Sequence, residues 1–189
     1  VADAEKLLQE GLAVHPEDLR LLQLKGLCLS RSGRLEQALI LLEPLYHKYG
    51  QDDEMIGIMA GAYKRMWIES EKDSWLQKSR NAYVRGWQRD ENNTYLGINA
   101  ATMTLFTDDP LKAAEFALEV LDVLKKRKKM MKQTVMGLNN LNLWDRLTMA
   151  EAYVLTGDIK NAEKTFKQAE NAYPLSSGAF EVCKKQLRL

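Results

Sequence analysis

Leu143–Pro174 reads LWDRLTMAEAYVLTGDIKNAEKTFKQAENAYP, and its spacing decides the fold. Counting Leu143 as position 1, Met149 and Ala150 fall at 7 and 8, Tyr153 at 11, Gly157 at 15, Ala162 at 20, Phe166 at 24, Ala169 at 27 and Pro174 at 32. A unit opening at Leu19 repeats the register with Leu22, Gly26, Leu29, Gly33, Ala38, Leu42 and Leu45. A half unit precedes it: Ala4 and Leu8 stand 34 residues before Ala38 and Leu42, and Pro16 takes the slot of Gly50. A 34-residue period of this kind predicts two antiparallel helices per unit. Small residues at 8 and 20 let the helices cross closely, while larger ones at 4, 7, 11 and 24 fill the space between units. Gly at 15 supplies a left-handed turn, and Pro or Gly at 32 ends the second helix.

Two further units are stretched. One opens at Asp53 with Ile56, Met59-Ala60 and Tyr63, then resumes at Ser79, Tyr83 and Gly86, its helices separated by extra residues around Trp67 to Leu76. The next opens at Thr94 with Ala100-Ala101 and Thr104, turns at Asp108-Asp109-Pro110 and resumes at Ala113 and Ala117. Its second helix runs into a basic stretch, and more extra residues precede Leu143. Phe180, Cys183 and Leu187 mark a lone closing helix. The expected organisation is a half repeat over 2–18, repeats over 19–52, 53–93, 94–142 and 143–176, and a terminal helix over 177–189. This is an all-α, right-handed superhelical solenoid of about ten helices. The chain opens inside a repeat, at Val1 rather than Met. It reads as a piece of a longer protein whose Leu7, Leu8 and Leu12 leave an apolar edge uncovered.

Composition agrees. Eleven Gly and four Pro in 189 residues are too few for a turn-rich β-sandwich. With 27 basic and 26 acidic side chains the net charge is +1, so any pull toward nucleic acid or an anionic membrane must be local. No apolar run approaches a membrane span. Cys28 and Cys183 lie far apart in apolar helical patterns, which predicts reduced thiols and a cytoplasmic protein.

The register resembles the tetratricopeptide family, with the opening Trp shifted by two positions, to Trp144. A longer likeness covers about residues 55–170. Gly61-Ala62-Tyr63-Lys64-Arg65-Met66, then Asn81-Ala82-Tyr83, then Tyr95-Leu96-Gly97-Ile98-Asn99-Ala100-Ala101 resembles the central region of stress-activated MAP kinase kinase kinases. There a tetratricopeptide-like region linked to TRAF binding precedes the kinase domain, and similar modules occur in bacterial proteins. The Gly-rich loop, His-Arg-Asp and Asp-Phe-Gly of kinases are absent here, so the likeness implies a regulatory scaffold and no kinase chemistry.

Nothing in the chain reads as catalytic, cofactor-binding or metal-binding machinery. His15 and His47 fall at ends of second helices, without Cys or His neighbours at ligand spacing. Asp52-Asp53 and Asp108-Asp109 sit where carboxylates cap helices. Trp67, Trp75, Trp87 and Trp144 read as packing residues, the first two pinning the extra segment. Met130, Met131 and Met136 offer adaptable apolar surface to a partner.

Two surfaces remain as candidates for binding. In tetratricopeptide geometry, positions 2, 5, 9, 12 and 13 face the concave groove. They select Arg20, Gln23, Leu27 and Arg31, then Lys64 and Arg65, then Tyr95, Asn99 (at position 6) and Thr102. This resembles the basic, Asn-bearing groove by which some family members hold peptide carboxylates, although the two-carboxylate clamp is not matched in full. Glu54 and Glu151 dilute its positive field. The expected partner is a protein or an acidic peptide. The second candidate is the run Lys125, Lys126, Arg127, Lys128, Lys129 with Lys132, a polyanion patch. The absence of interleaved aromatics, and Glu115, Glu119 and Asp122 just upstream, disfavour nucleic acid there. As a solvated extension, the five-residue run is expected to tolerate replacement by Gln with little change in stability.

Overall fold

The computed structural model describes the backbone of residues 2–133 and 141–188, with the side chains of residues 3–130 and 141–188. Those residues form ten helices and no strand: α1 (Ala2–Val14), α2 (Leu19–Arg31), α3 (Leu35–Tyr49), α4 (Asp53–Ser70), α5 (Asp73–Arg89), α6 (Thr94–Leu105), α7 (Pro110–Gln133), α8 (Leu143–Leu155), α9 (Ile159–Ala172) and α10 (Ser177–Gln186). They cluster into two compact units, Val1–Gly86 and Trp87–Leu189.

Side-chain caps start most of the helices. The carboxylates of Asp18, Asp52, Asp109 and Asp158 accept from the amides of Leu21, Met55, Lys112 and Asn161 at 2.8–3.1 Å. The side chains of Asn93 and Asn142 do the same for the amides of Leu96 and Asp145. Each such cap is worth about 1 kcal/mol. Gly33 and Gly157 sit at φ +79° and +78°, supplying the left-handed turns that the spacing predicts between α2 and α3 and between α8 and α9.

In the first unit each helix from α1 to α4 packs on the next, and α2 also packs on α4. That pattern is what paired helices stacked at a 34-residue period require. Gly26 makes the α2–α3 crossing possible: a Cβ there would stand 2.3 Å from Leu42 Cδ2. Leu29, Ala38, Leu39, Leu42, Met55, Ile58, Met59, Ala62 and Tyr63 form the core, and Trp75 of α5 stacks on Tyr63 at 5.7 Å. Leu7 of α1 is 67% exposed, whereas Leu8 and Leu12 are half-buried.

In the second unit α6 packs on α7 and α8, while α8 also packs on α7, α9 and α10. Leu147, Ala169, Phe180 and Cys183 form one core cluster, with the Phe166 ring edge-on to Phe180 at 5.5 Å. A second contact is built around a missing side chain. Gly97 occupies a position where the other units carry a larger residue, and the Trp87 indole and Val120 fill its place. The fully buried Trp87 donates its indole N–H to Glu119 Oε2 at 2.8 Å.

The extra residues differ from expectation. Around Trp67 to Leu76 they lengthen the helices instead of separating them. α4 runs to Ser70 and α5 starts at Asp73, with only Glu71 and Lys72 between, Glu71 in the left-handed region. Continued intrahelical bonding satisfies the added backbone groups without a long loop. The basic stretch is likewise helical, as the end of α7. Met136 lies outside the described residues. Trp144 departs as well: at the exposed start of α8 it is 58% exposed and does not serve as a core residue.

Candidate interaction surfaces

On α2, Arg20, Leu24, Leu27 and Arg31 recur at helical spacing and form one stripe. Glu54, Ile58, Gly61 and Arg65 occupy the equivalent positions 34 residues later, on α4, which packs directly against α2. One end of the stripe is closed by Arg20, whose Nη1 lies 2.7 Å from Glu54 Oε1. At the other end Arg31 is exposed, and Arg65 Nη1 donates to Ser30 Oγ and to the Gly61 carbonyl, both at 3.1 Å. Between them Leu27 is half-buried against the core. A Cβ at Gly61 would meet Arg65 Nη1 and Tyr83 OH at 3.5 Å, an ordinary contact distance.

Two expected groove residues of this unit are not available. Gln23 is buried, and its Nε2 donates to Asp52 Oδ1 at 2.8 Å, bracing the carboxylate that caps α4. Lys64 is only 8% exposed, beside Tyr63 on the core side of α4. α4 carries apolar residues on nearly every side, so position 12 of this unit turns inward.

In the second unit α6 is buried along almost its whole length, Leu96 to Thr104. Its small and apolar residues leave no polar face for solvent. Asn99 and Thr102 are therefore buried and bonded within their own helix: Asn99 Nδ2 donates to the Tyr95 carbonyl at 2.9 Å, and Thr102 Oγ1 to that of Ile98 at 3.0 Å. Neither is presented to a ligand. Tyr95, at the start of the helix, is exposed.

The basic run divides into two kinds of residue. Lys125, Lys126 and Lys129 are exposed and Lys128 is half-buried. Lys126 Nζ pairs with Asp122 one turn back at 2.6 Å, and Lys125 Nζ lies 5.6 Å from the Tyr153 ring centroid. Arg127 is different. Its Nη1 lies 2.5 Å from Asp145 Oδ1, and its Nη2 donates to the Asn92 carbonyl at 3.0 Å. The Asp145 side chain is 7% exposed. The expectation that all five residues are peripheral fails at Arg127, because it neutralises a buried carboxylate 18 residues away in sequence. The Lys132 side chain lies outside the described residues.

Reactive chemistry is sparse. His15 and His47 are exposed at helix ends. Cys28 is half-buried and Cys183 buried, and burial, reinforced by the neighbouring Glu151 carboxylate, pushes the Cys183 thiol well above its ordinary range. Among the described residues no three His, Cys, Asp or Glu side chains are grouped so as to hold a metal ion. Asp52 and Asp109 are helix caps. An open cleft between the α2–α3 turn and the end of α4 is lined by Arg34, Glu36, Met66 and Glu69, and Arg34 is already engaged by Glu5. No described helix is long and apolar enough to cross a membrane.

Comparison with known proteins agrees with this architecture. A tetratricopeptide protein from Thermus thermophilus, TTC0263, superposes with a TM-score of 0.71 at 14% identity, over 98% of this chain and 89% of that one. A tetratricopeptide repeat protein from Parabacteroides merdae superposes with a TM-score of 0.55 at 15% identity, over 96% of this chain and 64% of that one. At such identities the likeness is one of fold. No curated protein sequence matches the chain. The profile of the family described as Tetratricopeptide Repeats-Sensor matches residues 1–104, more than half of the sequence, and the chain belongs to that family.

Proposed function

We propose that the chain is a regulatory protein-interaction module, without catalytic activity of its own, that holds an acidic peptide segment across α2 and α4. Tetratricopeptide folds mediate protein–protein contacts through extended surfaces formed by successive helix pairs. One observation carries the finer reading. Arg31 and Arg65 stand at equivalent positions of adjacent repeats, the second oriented by Ser30 and the Gly61 carbonyl. A guanidinium fixed in this way loses little freedom on meeting a carboxylate and can form a forked, charge-assisted pair. Leu24 and Leu27 supply apolar contact beside it, and the Arg20–Glu54 pair closes the far end. The sensor description of the family supports a role in regulation rather than chemistry. Cys28 and Cys183, neither of them in a disulfide, suit a reducing compartment such as the cytoplasm.

The test is selection of free-C-terminus peptides from a display library, followed by titration of the best binder. Arg31→Ala and Arg65→Ala are each expected to weaken it by about 1.5–3 kcal/mol, the cost of removing a desolvated charge-assisted bond. Lys64→Gln is expected to change stability and not affinity, because Lys64 is buried. Unchanged affinity in both arginine variants, with the far-ultraviolet spectrum intact, removes the binding site from α2 and α4.

A further inference from the structure

We propose that Ser32 is a phosphorylation site, and that a phosphoryl group there takes Arg34 from Glu5 and so releases α1. This rests on other contacts than the α2–α4 reading and does not depend on it.

Two serines at the end of α2 already have a guanidinium on their hydroxyl oxygen. Arg65 Nη1 donates to Ser30 Oγ and Arg34 Nε to Ser32 Oγ, each at 3.1 Å. Ser30 is 2% exposed and closed to a modifying enzyme, whereas Ser32 is exposed, in the turn that Gly33 makes at φ +79°. The Ser32 hydroxyl donates to the Leu29 carbonyl at 3.1 Å. The backbone N–H groups of Ser32 and Arg34 bond to that carbonyl too, so the helix end stays closed when the hydroxyl hydrogen is replaced. The step is a phosphoryl transfer from a nucleoside triphosphate held by a separate kinase. Ser32 Oγ attacks the terminal phosphorus and forms the Oγ–P bond. The bond from that phosphorus to the bridging oxygen breaks, nucleoside diphosphate leaves with the electron pair, and the hydroxyl proton passes to the base of the kinase.

Arg34 is the pivot. Its Nε lies on Ser32, while Nη1 and Nη2 lie on the two Glu5 oxygens at 2.8 and 2.7 Å. Phosphoserine carries about two negative charges at neutral pH, and one guanidinium cannot neutralise that group and a carboxylate together. The phosphate has the advantage of place. It stands two residues from Arg34, whereas Glu5 is 29 residues away on a helix that leaves Leu7 and Val14 largely uncovered. It also repels the carboxylate it displaces. Unlike α2 and α4, α3 starts with no side-chain cap, so the positive end of its dipole attracts the new anion. The negative end of α2 opposes it, and Arg31 in the last turn of α2 offsets that repulsion. With the fork gone, α1 keeps its packing on α2, where Gly11 meets Leu21, and opens more often.

Two measurements test the site and its effect. The intact chain is treated with ATP and an arginine-directed serine kinase, and the phosphate is mapped by mass spectrometry. Ser32 is expected to be the principal acceptor, ahead of the exposed Ser74 and Ser177, and Ser32→Ala to abolish its signal. Absence of phosphate on Ser32 would overturn the site. Hydrogen exchange is then compared between the unmodified chain and one with phosphoserine incorporated at position 32 during synthesis. Amides of α1 are expected to exchange about tenfold faster or more in the phosphorylated chain, with α2, α3 and α4 unchanged. Glu5→Gln is expected to reproduce the acceleration without phosphate, and phosphoserine to add little to it. Unchanged or slower exchange in α1, or an equal further acceleration by phosphoserine in Glu5→Gln, would overturn the release of α1 through Arg34.

Discussion

Arg127→Gln will destabilise the second unit by about 2–4 kcal/mol, whereas replacing all four neighbouring lysines by Gln will cost about 1 kcal/mol or less. Asp145 is buried, and with Arg127 gone its side chain keeps, among the described residues, only the weaker support of the Asn142 side-chain amide, 3.2 Å from Oδ2. Arg127 is itself about a third exposed, so the expected loss lies toward the lower end of what breaking a fully buried pair costs. Chemical denaturation of both variants measures the difference. The double variant Arg127→Met/Asp145→Asn should recover much of the loss, because it removes the stranded charge along with its partner. If Arg127→Gln melts like the parent protein, the pair contributes nothing and all five basic residues are peripheral.

Three of the helical glycines, Gly97, Gly26 and Gly61, should not respond to alanine in the same direction. A Cβ on Gly97 would lie 2.6 Å from both Trp87 Cε3 and Val120 Cγ2, a rigid ring and a β-branched side chain, both buried. Neither can rotate away, and moving the indole would disturb its bond to Glu119. Gly97→Ala should therefore cost about 3 kcal/mol, typical of overpacking a tight core. Gly26→Ala should be destabilising as well, somewhat less so where Leu42 can change rotamer. Gly61→Ala meets nothing nearer than 3.5 Å, so it should gain up to about 1 kcal/mol of helix propensity. Thermal melts of the three variants give the ranking. A neutral Gly97→Ala would mean that Trp87 does not fill the glycine's place.

What was legible in the sequence is what a 34-residue spacing encodes locally. Gly33 and Gly157 mark left-handed turns because few other residues adopt that conformation easily, and Asp or Asn before an apolar run marks a cap because short polar side chains reach the second or third amide. Such signals need only a few neighbouring residues. Exposure was harder to read, since it depends on what a neighbouring helix covers. Positions that point outward in a generic repeat point inward at Lys64, Asn99 and Thr102, because α4 and α6 are apolar on nearly every side. Nothing local to Asp145 names Arg127 as its partner, and charge alone cannot separate Arg127 from the lysines beside it. The extra residues around Trp67 misled for a related reason. Length beyond the repeat reveals an insertion but not whether the helix simply continues through it.

The fork between Arg34 and Glu5, with two guanidinium nitrogens on the two carboxylate oxygens at 2.7–2.8 Å, binds the first helix to the residue that starts α3. It holds a helix that leaves Leu7 and Val14 largely uncovered and touches α2 where Gly11 meets Leu21. Arg34 keeps the Glu5 carboxyl below its ordinary range, so the fork's contribution is present above the unfolded glutamate value and disappears as pH falls through the lowered native one. Salt weakens the same half-exposed pair by screening. Amide protons of α1 are therefore expected to exchange with solvent sooner than those of α2 and α3, by a local opening that acid and salt both promote while the helices beneath stay closed.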